Sequence, residues 1–356
     1  MFVLRHLLSN DLPRNRGLAI LLVAIFLALA LTPFVFPGVR ALNVAAKIVV
    51  FIVLVASFDV LLGYTGIVSF AHTMFFGIGA YGVAIAMTRI GSTWPAVAAG
   101  VAASLVVSLL LSLVIGLFSL RVRAIFFAMI TLAVASAFAT LASQLADFTG
   151  GEDGLTFRLP EALQPGTEYA AAPFLGATID GRFVTYYLVF VVALVLLLAL
   201  LRIVNSPFGR VLQAIRENDF RAEAIGYRIV VYRTLASVVS ALFATLAGVL
   251  LALWLRYNGP DTTLSFEVML DVLLIVVIGG MGTIYGAVIG SVLLVLAQNY
   301  LQDVMKLAAS AVQGVPVLAQ IVSPDRWLLW LGILFILSVY YFPSGVVGRL
   351  RAMRRR

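Results

Sequence analysis

The chain has 356 residues, of which 63% are hydrophobic and only 11% are charged, and its mean hydropathy is +1.10. Soluble domains carry about 25% charged residues, so this composition indicates a membrane protein that crosses the bilayer several times. The absence of cysteine and the presence of only two histidines argue against disulfides and against a metal centre. The basic residues behind the net charge of +8 lie beside apolar runs, where membrane topology explains them better than nucleic-acid binding does.

Ten apolar segments approach the length of about 20 helical residues that is needed to cross the hydrocarbon layer. The sequence therefore predicts an all-α, polytopic membrane bundle of about ten spans (8–10), which forms a single domain over residues 1–356. The segment 71–88 and the glycine-rich region 279–290 give the weakest signals. The predicted spans cover residues 17–36, 42–62, 71–88, 94–120, 125–146, 183–201, 234–255, 267–283, 286–301 and 327–342.

Lysine and arginine are distributed unevenly between the two sides of these spans. With the N-terminus in the cytoplasm, 16 of the 24 basic residues lie inside and 8 lie outside, as the positive-inside rule requires. An even number of spans then places the C-terminus inside as well. This orientation predicts a cytoplasmic N-terminus at 1–16, an extracytoplasmic loop at 147–182, a cytoplasmic loop at 202–233 and a basic cytoplasmic tail at 343–356.

Two glycine-rich segments, 63–82 and 279–290, interrupt the leucine-rich pattern, one in each half of the chain. Gly282, Gly286 and Gly290 recur every fourth residue, a spacing that on one helix allows a neighbouring backbone to approach closely. The alternative is an interrupted helix whose free backbone groups line a cavity. The glycines that we assign to packing are Gly63, Gly66, Gly279, Gly280, Gly282, Gly286 and Gly290.

A few ionisable side chains fall within or near the predicted spans. Because a charge in lipid is costly unless it faces a cavity or a partner, such residues are functional candidates; the alternative is a role in holding helices together. Glu267 and Asp271 are four residues apart and would repel each other if both were ionised at depth, so we expect Glu267 nearer the outer end. The candidates for a translocation path are Asp59, Tyr64, Ser69, His72, Glu267 and Asp271.

The longest polar segment, 206–226, lies between two spans. Ser206 followed by Pro207 predicts the start of a helix, and Gly226 predicts its end. Asp219 and Glu223 are four positions apart and repel each other, which favours a break into two short helices near Asn218.

One face of this segment is apolar, and it holds Val211, Ile215, Ala222 and Ile225. The polar face carries an aromatic side chain, Phe220, which gains nothing from water and suits a groove on a partner protein. The alternative is an amphipathic connector that lies on the membrane surface. In the docking interpretation, the residues that couple the chain to its partner are Arg210, Arg216, Glu217, Phe220, Glu223 and Gly226.

Four motifs, in matching order, resemble the branched-chain amino acid permeases of ABC importers, of the LivM type of the LivH/LivM pair. They are Gly63-Tyr-Thr-Gly-Ile-Val-Ser-Phe-Ala-His72, Phe126-Phe-Ala-Met-Ile-Thr-Leu-Ala133 after Leu120-Arg-Val-Arg123, the 206–226 segment with its Ser-Pro-Phe-Gly-Arg start and Ala-Glu-Ala-Ile-Gly end, and Gly279-Gly-Met-Gly-Thr-Ile-Tyr-Gly286. The resemblance covers most of residues 42–300. The chain departs from the family at Asp59, where Asn is usual, and at Ile225, where Leu is common.

The resemblance implies a permease subunit in the cytoplasmic (inner) membrane of a bacterium, which moves leucine, isoleucine, valine or related small amino acids and amides inward. It implies a second homologous permease, two cytosolic ATP-binding subunits docked on the 206–226 segment, a periplasmic or lipid-anchored substrate-binding protein, and surrounding membrane lipid. The chain has no Gly-x-x-x-x-Gly-Lys loop. We therefore expect no enzyme activity and no cofactor on this chain, with ATP and Mg²⁺ bound by partner subunits.

Two other classes of protein fit parts of the sequence. An ion-coupled secondary transporter of small polar solutes would use Asp59, Glu267 and Asp271 as coupling carboxylates, and it would work as a single polypeptide. A membrane enzyme would need catalytic carboxylates or histidines clustered at one membrane face, and the sequence shows no such cluster.

Overall fold

The structure, a computed structural model, describes residues 16–119, 124–169, 178–311, 323–342 and 344–352. Several predicted features lie outside these residues: nearly all of the N-terminal segment 1–16, Arg121 and Arg123, part of the loop 147–182, and part of the tail 343–356.

Helices dominate the described residues. They are α1 (Arg16–Val35), α2 (Val39–Thr65), α3 (His72–Arg89), α4 (Trp94–Ser119), α5 (Ala124–Gln144), α6 (Ala146–Thr149), α7 (Gly181–Asn205), α8 (Pro207–Glu217), α9 (Asp219–Ala224), α10 (Ile229–Leu255), α11 (Pro260–Thr263), α12 (Phe266–Gly279), α13 (Ile284–Ala311), α14 (Trp327–Tyr341) and α15 (Gly345–Ala352). Short 3₁₀ helices cover Gly151–Asp153, Glu161–Leu163 and Pro324–Arg326. Two short strands, β1 (Leu155–Thr156) and β2 (Tyr257–Asn258), pair antiparallel, with Leu155 opposite Asn258.

Within the described part of the chain, nine helices are long and apolar enough to cross a membrane. The prediction of a polytopic helical bundle is therefore confirmed. The helix α3, which matches the weak segment 71–88, is not one of the nine, although most of its residues are buried. A helix surrounded by other helices does not face lipid, so it can keep polar and glycine residues that a peripheral span would lack.

Glycines allow α3 and α10 to touch along their backbones. A Cβ atom on Gly79 would lie 1.9 Å from the backbone oxygen of Thr245, and one on Gly248 would lie 1.8 Å from that of Phe76. Both distances are shorter than any real Cβ contact, so these two positions accept only glycine without backbone movement. The helix α3 therefore packs closely against α4 and α10, and its first residue, His72, contacts Ser57 of α2.

The core and the periphery differ in how much of each helix is buried. The helix α2 is buried along most of its length and packs against α7, α10 and α13, whereas α1, α4, α5 and α14 turn many apolar side chains outward. Ile20 and Ile125, for example, are among these exposed side chains. Apolar exposure of this kind is what acyl chains or a membrane partner would cover.

The helix α2 runs between two ends of the bundle. At its start lie residues 146–169 and the β1–β2 pair, and we call this region the loop end. Here Phe157, Leu159 and Leu163 are buried in a cluster with residues of α3 and α10, so the loop packs onto the bundle. At the other end, where α2 stops at Thr65, lie α8, α9 and residues 280–283 between α12 and α13; we call this the α8–α9 end.

Candidate functional site

The polar segment 206–226 forms two short helices, as the sequence predicts. Pro207 takes the first position of α8, and Asn218 separates α8 from α9. The side-chain oxygen of Asn218 accepts a hydrogen bond from the backbone N–H of Arg221 at 2.9 Å and so caps α9. Ser206 does not cap α8, because its hydroxyl donates to the carbonyl oxygen of Ile203 instead.

The chain leaves α9 through a left-handed residue. Gly226 has a φ of +96°, and its N–H donates to the carbonyl oxygen of Glu223, while the N–H of Tyr227 donates to that of Ala222. These two bonds form the glycine stop that the sequence predicts at Gly226. The stop fixes the direction in which the chain enters α10.

The apolar face of this segment differs from the predicted one. Ile215 and Ala222 are buried, together with Leu212, but Val211 is only half-buried and Ile225 is 67% exposed. The prediction for Ile225 is wrong because Asn218 is extended, which breaks the helical spacing between the two short helices. Spacing that is counted across the break therefore no longer describes one face.

An exposed surface results on α8 and α9, and Phe220 is its most prominent side chain, with 86% of its area exposed. An ion pair holds α9 to the bundle: Nη2 of Arg233, at the start of α10, lies 2.9 Å from Oδ2 and 3.0 Å from Oδ1 of Asp219. A force applied to Phe220 would therefore reach α10. All six predicted coupling residues are exposed: Arg210, Arg216, Glu217, Phe220, Glu223 and Gly226.

Arg216 differs from the other coupling residues because its guanidinium also reaches into the bundle. Its Nη1 donates a hydrogen bond to the carbonyl oxygen of Gly63, near the end of α2. A Cβ atom on Gly282 would lie 2.9 Å from the same nitrogen. The side chain thus connects α8 to both glycine-rich segments.

The two glycine-rich segments meet at Asp59. The backbone N–H of Gly282 donates to Oδ1 of Asp59 at 2.9 Å, and the aspartate is 1% exposed. A Cβ atom on Gly63 would lie 2.0 Å from that oxygen and 2.3 Å from the nitrogen of Gly282. We call the set Asp59, Gly63, Arg216 and Gly282 the glycine junction. It joins α2, α8 and the turn between α12 and α13.

The second glycine segment is the turn of a helical hairpin. The helix α12 ends at Gly279 and α13 begins at Ile284, so Gly282 lies in the turn and does not share a helical face with Gly286 and Gly290. This corrects the predicted face, and the reason is backbone conformation: Gly280 and Gly282 have φ values of +114° and +79°, which favour glycine.

Close packing nevertheless holds further along the hairpin. A Cβ atom on Gly290 would lie 2.3 Å from the carbonyl oxygen of Ile275 on the neighbouring helix, and one on Gly279 would lie 2.0 Å from that of Gly286. In the first segment, Gly66 ends α2 with a φ of +74°.

His72 belongs to a buried polar cluster in the middle of the bundle. Its Nε2 lies 3.0 Å from the hydroxyl of Ser57 and 3.1 Å from the carbonyl oxygen of Leu54, and the hydroxyl of Ser240 donates to the carbonyl oxygen of Ser57 at 2.7 Å. The cluster links α2, α3 and α10. The sequence did not indicate Ser57 and Ser240, since single serines in apolar spans carry no spacing signal.

The remaining path candidates lie in different places. Tyr64 and Ser69 are buried near the α8–α9 end, whereas Glu267 is exposed in the first turn of α12. Asp271 lines a cavity with Lys47, and its Oδ1 accepts a hydrogen bond from Nε2 of Gln298 at 2.7 Å. The six candidates therefore do not form one site. Among the residues that the structure describes, no three His, Cys, Asp or Glu side chains converge as metal ligands would.

Comparison with known proteins agrees with the motifs. The model of a family described as the permease component of the branched-chain amino acid transport system matches residues 40–339. The high-affinity branched-chain amino acid transport system permease protein LivM of Escherichia coli K12 is 27% identical over 322 residues, which cover 86% of this chain and 74% of that protein.

Two further relatives carry similar names. The LivM protein of Salmonella typhimurium LT2 is 26% identical over 303 residues, or 81% of this chain and 70% of that protein. A probable branched-chain amino acid transport permease protein LivM of Methanocaldococcus jannaschii is 29% identical over 182 residues, or 50% of this chain and 51% of that protein. No solved structure matches the chain.

Proposed function

The chain belongs to the permease family of branched-chain amino acid transport systems, and from this premise we propose that it moves leucine, isoleucine, valine or related small amino acids and amides inward across the cytoplasmic membrane of a bacterium. It is a multi-pass membrane permease that works with partner subunits. The observation that best supports coupling to a partner is the hydrogen bond from Arg216, on the exposed helix α8, to the carbonyl oxygen of Gly63 near the end of α2. This bond connects the exposed surface to a buried membrane span.

We assign the proposed partners to the two ends of the bundle. Two cytosolic ATP-binding subunits, which hold ATP and Mg²⁺, serve the importer, and one docks on α8 and α9 of this chain. A second homologous permease completes the membrane domain, and a periplasmic or lipid-anchored protein delivers substrate at the loop end. The excess of basic residues at the α8–α9 end supports its placement in the cytoplasm.

The geometry suggests how ATP binding moves the spans. Phe220 and Glu223 are exposed on α9 and would seat in a groove on the ATPase. Asp219 links α9 to α10 through Arg233, and Arg216 links α8 to the glycine junction. When the ATPases close, both links shift α2, α10 and the α12–α13 turn together as a rigid body.

The first test is purification of the tagged chain in mild detergent from its native host, followed by identification of the proteins that accompany it. We expect a second permease and ATP-binding chains, and ATP-dependent leucine uptake after reconstitution with the binding protein. A lone chain that moves solute under an ion gradient would instead support a secondary transporter and reduce 206–226 to a connector.

The docking surface has its own test. Phe220→Arg and Glu223→Arg should each abolish ATP-dependent uptake while the chain still folds and inserts, because both side chains are exposed. The matched control is Phe220→Tyr, which keeps the aromatic ring and should transport normally. Normal uptake and normal assembly in both arginine variants would rule out docking at α9.

A further inference from the structure

A cavity of about 600 Å³ lies in the loop-end half of the bundle. It opens between α2, α10, α12 and α13, and its volume falls within the roughly 300–1,000 Å³ that is usual for small-molecule sites. Most of its wall is apolar, with Phe51, Leu251, Trp254 and Val268 among the lining residues. The polar part of the wall comes from Arg40, Asn43, Lys47, Thr262, Asp271 and Asn299.

Two opposite charges in this wall, those of Lys47 and Asp271, form no salt bridge with each other. Among the described residues, neither Lys47 on α2 nor Asp271 on α12 belongs to a salt bridge within 4.0 Å. Lys47 places its Nζ 5.2 Å from the centre of the Phe51 ring. Asp271 receives a single side-chain hydrogen bond from Gln298.

Arg40, in the same wall, shows the contrasting case. Its Nη1 lies 2.7 Å from Oδ2 of Asp303, and its Nη2 donates to the carbonyl oxygen of Asn299. The charge of Arg40 is therefore satisfied by the protein itself. A charge at membrane depth without a salt-bridge partner is costly, so a cavity lined by both Lys47 and Asp271 favours a ligand that carries both complementary charges.

We propose that this cavity binds a zwitterionic α-amino acid with an aliphatic side chain. The α-carboxylate faces the ammonium group of Lys47, the α-ammonium group faces the carboxylate of Asp271, and the aliphatic side chain lies against Phe51, Trp254 and Val268. The inference rests on the proposed function, since it places the substrate of that transport at a defined step of its path. It also assigns separate roles to Asp271 and Glu267, because Glu267 does not line the cavity.

The experiment measures ATP-dependent leucine uptake by the whole complex in proteoliposomes with its binding protein. Asp271→Asn and Lys47→Met should each raise the KM for leucine at least several-fold. Each has a control: Glu152→Gln removes an exposed carboxylate at the loop end, outside the cavity wall, and Lys306→Met removes the only other lysine of the chain. Both controls should keep the wild-type KM.

A second variant covers the case in which loss of a charge prevents assembly. Val268→Phe puts a larger side chain into the apolar part of the cavity without changing the charge. Because leucine has a larger side chain than alanine, the variant should impair uptake of leucine more than uptake of alanine. Wild-type KM values in assembled Asp271→Asn and Lys47→Met complexes, or an unchanged leucine-to-alanine ratio in Val268→Phe, would overturn the site. If the wild-type complex moves no branched-chain amino acid at all, the proposed function fails first, so the two failures are distinguishable.

Discussion

Asp59 and Asp271 are both aspartates in membrane-spanning helices, yet they lie in regions of opposite character. Asp59 is enclosed in the glycine junction, where the backbone N–H of Gly282 donates to its carboxylate. The carboxylate and Gly282 lie so close to Gly63 that no space remains for a side chain at that position. Asp271 lines a cavity and faces open volume. A close-packed junction suits the transmission of a rigid-body movement, whereas a cavity in which Lys47 and Asp271 form no salt bridge suits the binding of a ligand.

The largest effect should come from filling the junction. In Gly63→Ala, the new Cβ would overlap the backbone nitrogen of Gly282 and Oδ1 of Asp59, and backbone atoms cannot move aside as a flexible side chain can. Overpacking of this kind costs about 1–3 kcal/mol or more. We expect a lower thermal unfolding temperature in detergent and the loss of most uptake.

The control for this variant lies at the other end of α2. Gly38 has an ordinary φ of −65° and no atom within 4 Å of a built Cβ, so Gly38→Ala should leave the unfolding temperature unchanged. Equal unfolding temperatures for Gly63→Ala and Gly38→Ala would show that the junction is not close-packed.

The second prediction separates the shape of Asp59 from its charge. Asp59→Ala removes the acceptor of the Gly282 N–H, and a buried donor without a partner costs about 1–3 kcal/mol. Asp59→Asn keeps an oxygen acceptor of the same shape, so it should retain most of the stability and uptake that Asp59→Ala loses. Stability assays on both variants test this, and equal losses would mean that the negative charge itself holds the junction.

How far the sequence could predict this contrast depends on the kind of signal. Apolar length and periodicity predicted the bundle, and repulsion between Asp219 and Glu223 predicted the break at Asn218 that the structure confirms. Contacts between distant segments carry no such local signal. Asp59 and Gly282 are 223 positions apart, and the sequence around one residue does not indicate that it contacts the other.

The errors have the same physical origin. The spacing of Gly282 from Gly286 fits a helix, but the left-handed backbone conformation of Gly282 keeps it in the turn before α13. The helical count that assigns Ile225 to the buried face runs through Asn218, where the helix is broken. Asp59 and Asp271 looked alike in sequence because what separates them, a backbone donor in one case and a cavity in the other, comes from tertiary packing alone.

The third prediction concerns the link between the exposed surface and the junction. Arg216→Met removes the donor to the carbonyl oxygen of Gly63 but keeps a long unbranched side chain. We expect a modest loss of stability, because a hydrogen bond from a charged donor contributes about 1.5–3 kcal/mol and this one is partly exposed. We also expect a several-fold fall in the amount of amino acid moved per ATP hydrolysed. Gln213→Met is the control, since Gln213 is an exposed polar side chain on the same helix that is not one of the predicted coupling residues. An equal ratio of transport to hydrolysis in the two variants would remove Arg216 from the coupling route.

The smallest effect should come from Gly226, where conformation acts without crowding. A Cβ atom there meets nothing within 4 Å, but the φ of +96° is unfavourable for alanine, at a cost of about 1–2 kcal/mol. Gly91, between α3 and α4, has a φ of +118° and equally open surroundings, and the contact of Arg89 with Asp147 places this turn at the loop end. Gly226→Ala and Gly91→Ala should therefore lower the unfolding temperature by similar small amounts. Of the two glycines, Gly226 alone sets the position of α9 relative to α10. Only Gly226→Ala should therefore also reduce the amount of amino acid moved per ATP hydrolysed. A similar reduction in Gly91→Ala would mean that coupling depends on overall stability and not on the conformation of the α8–α9 end.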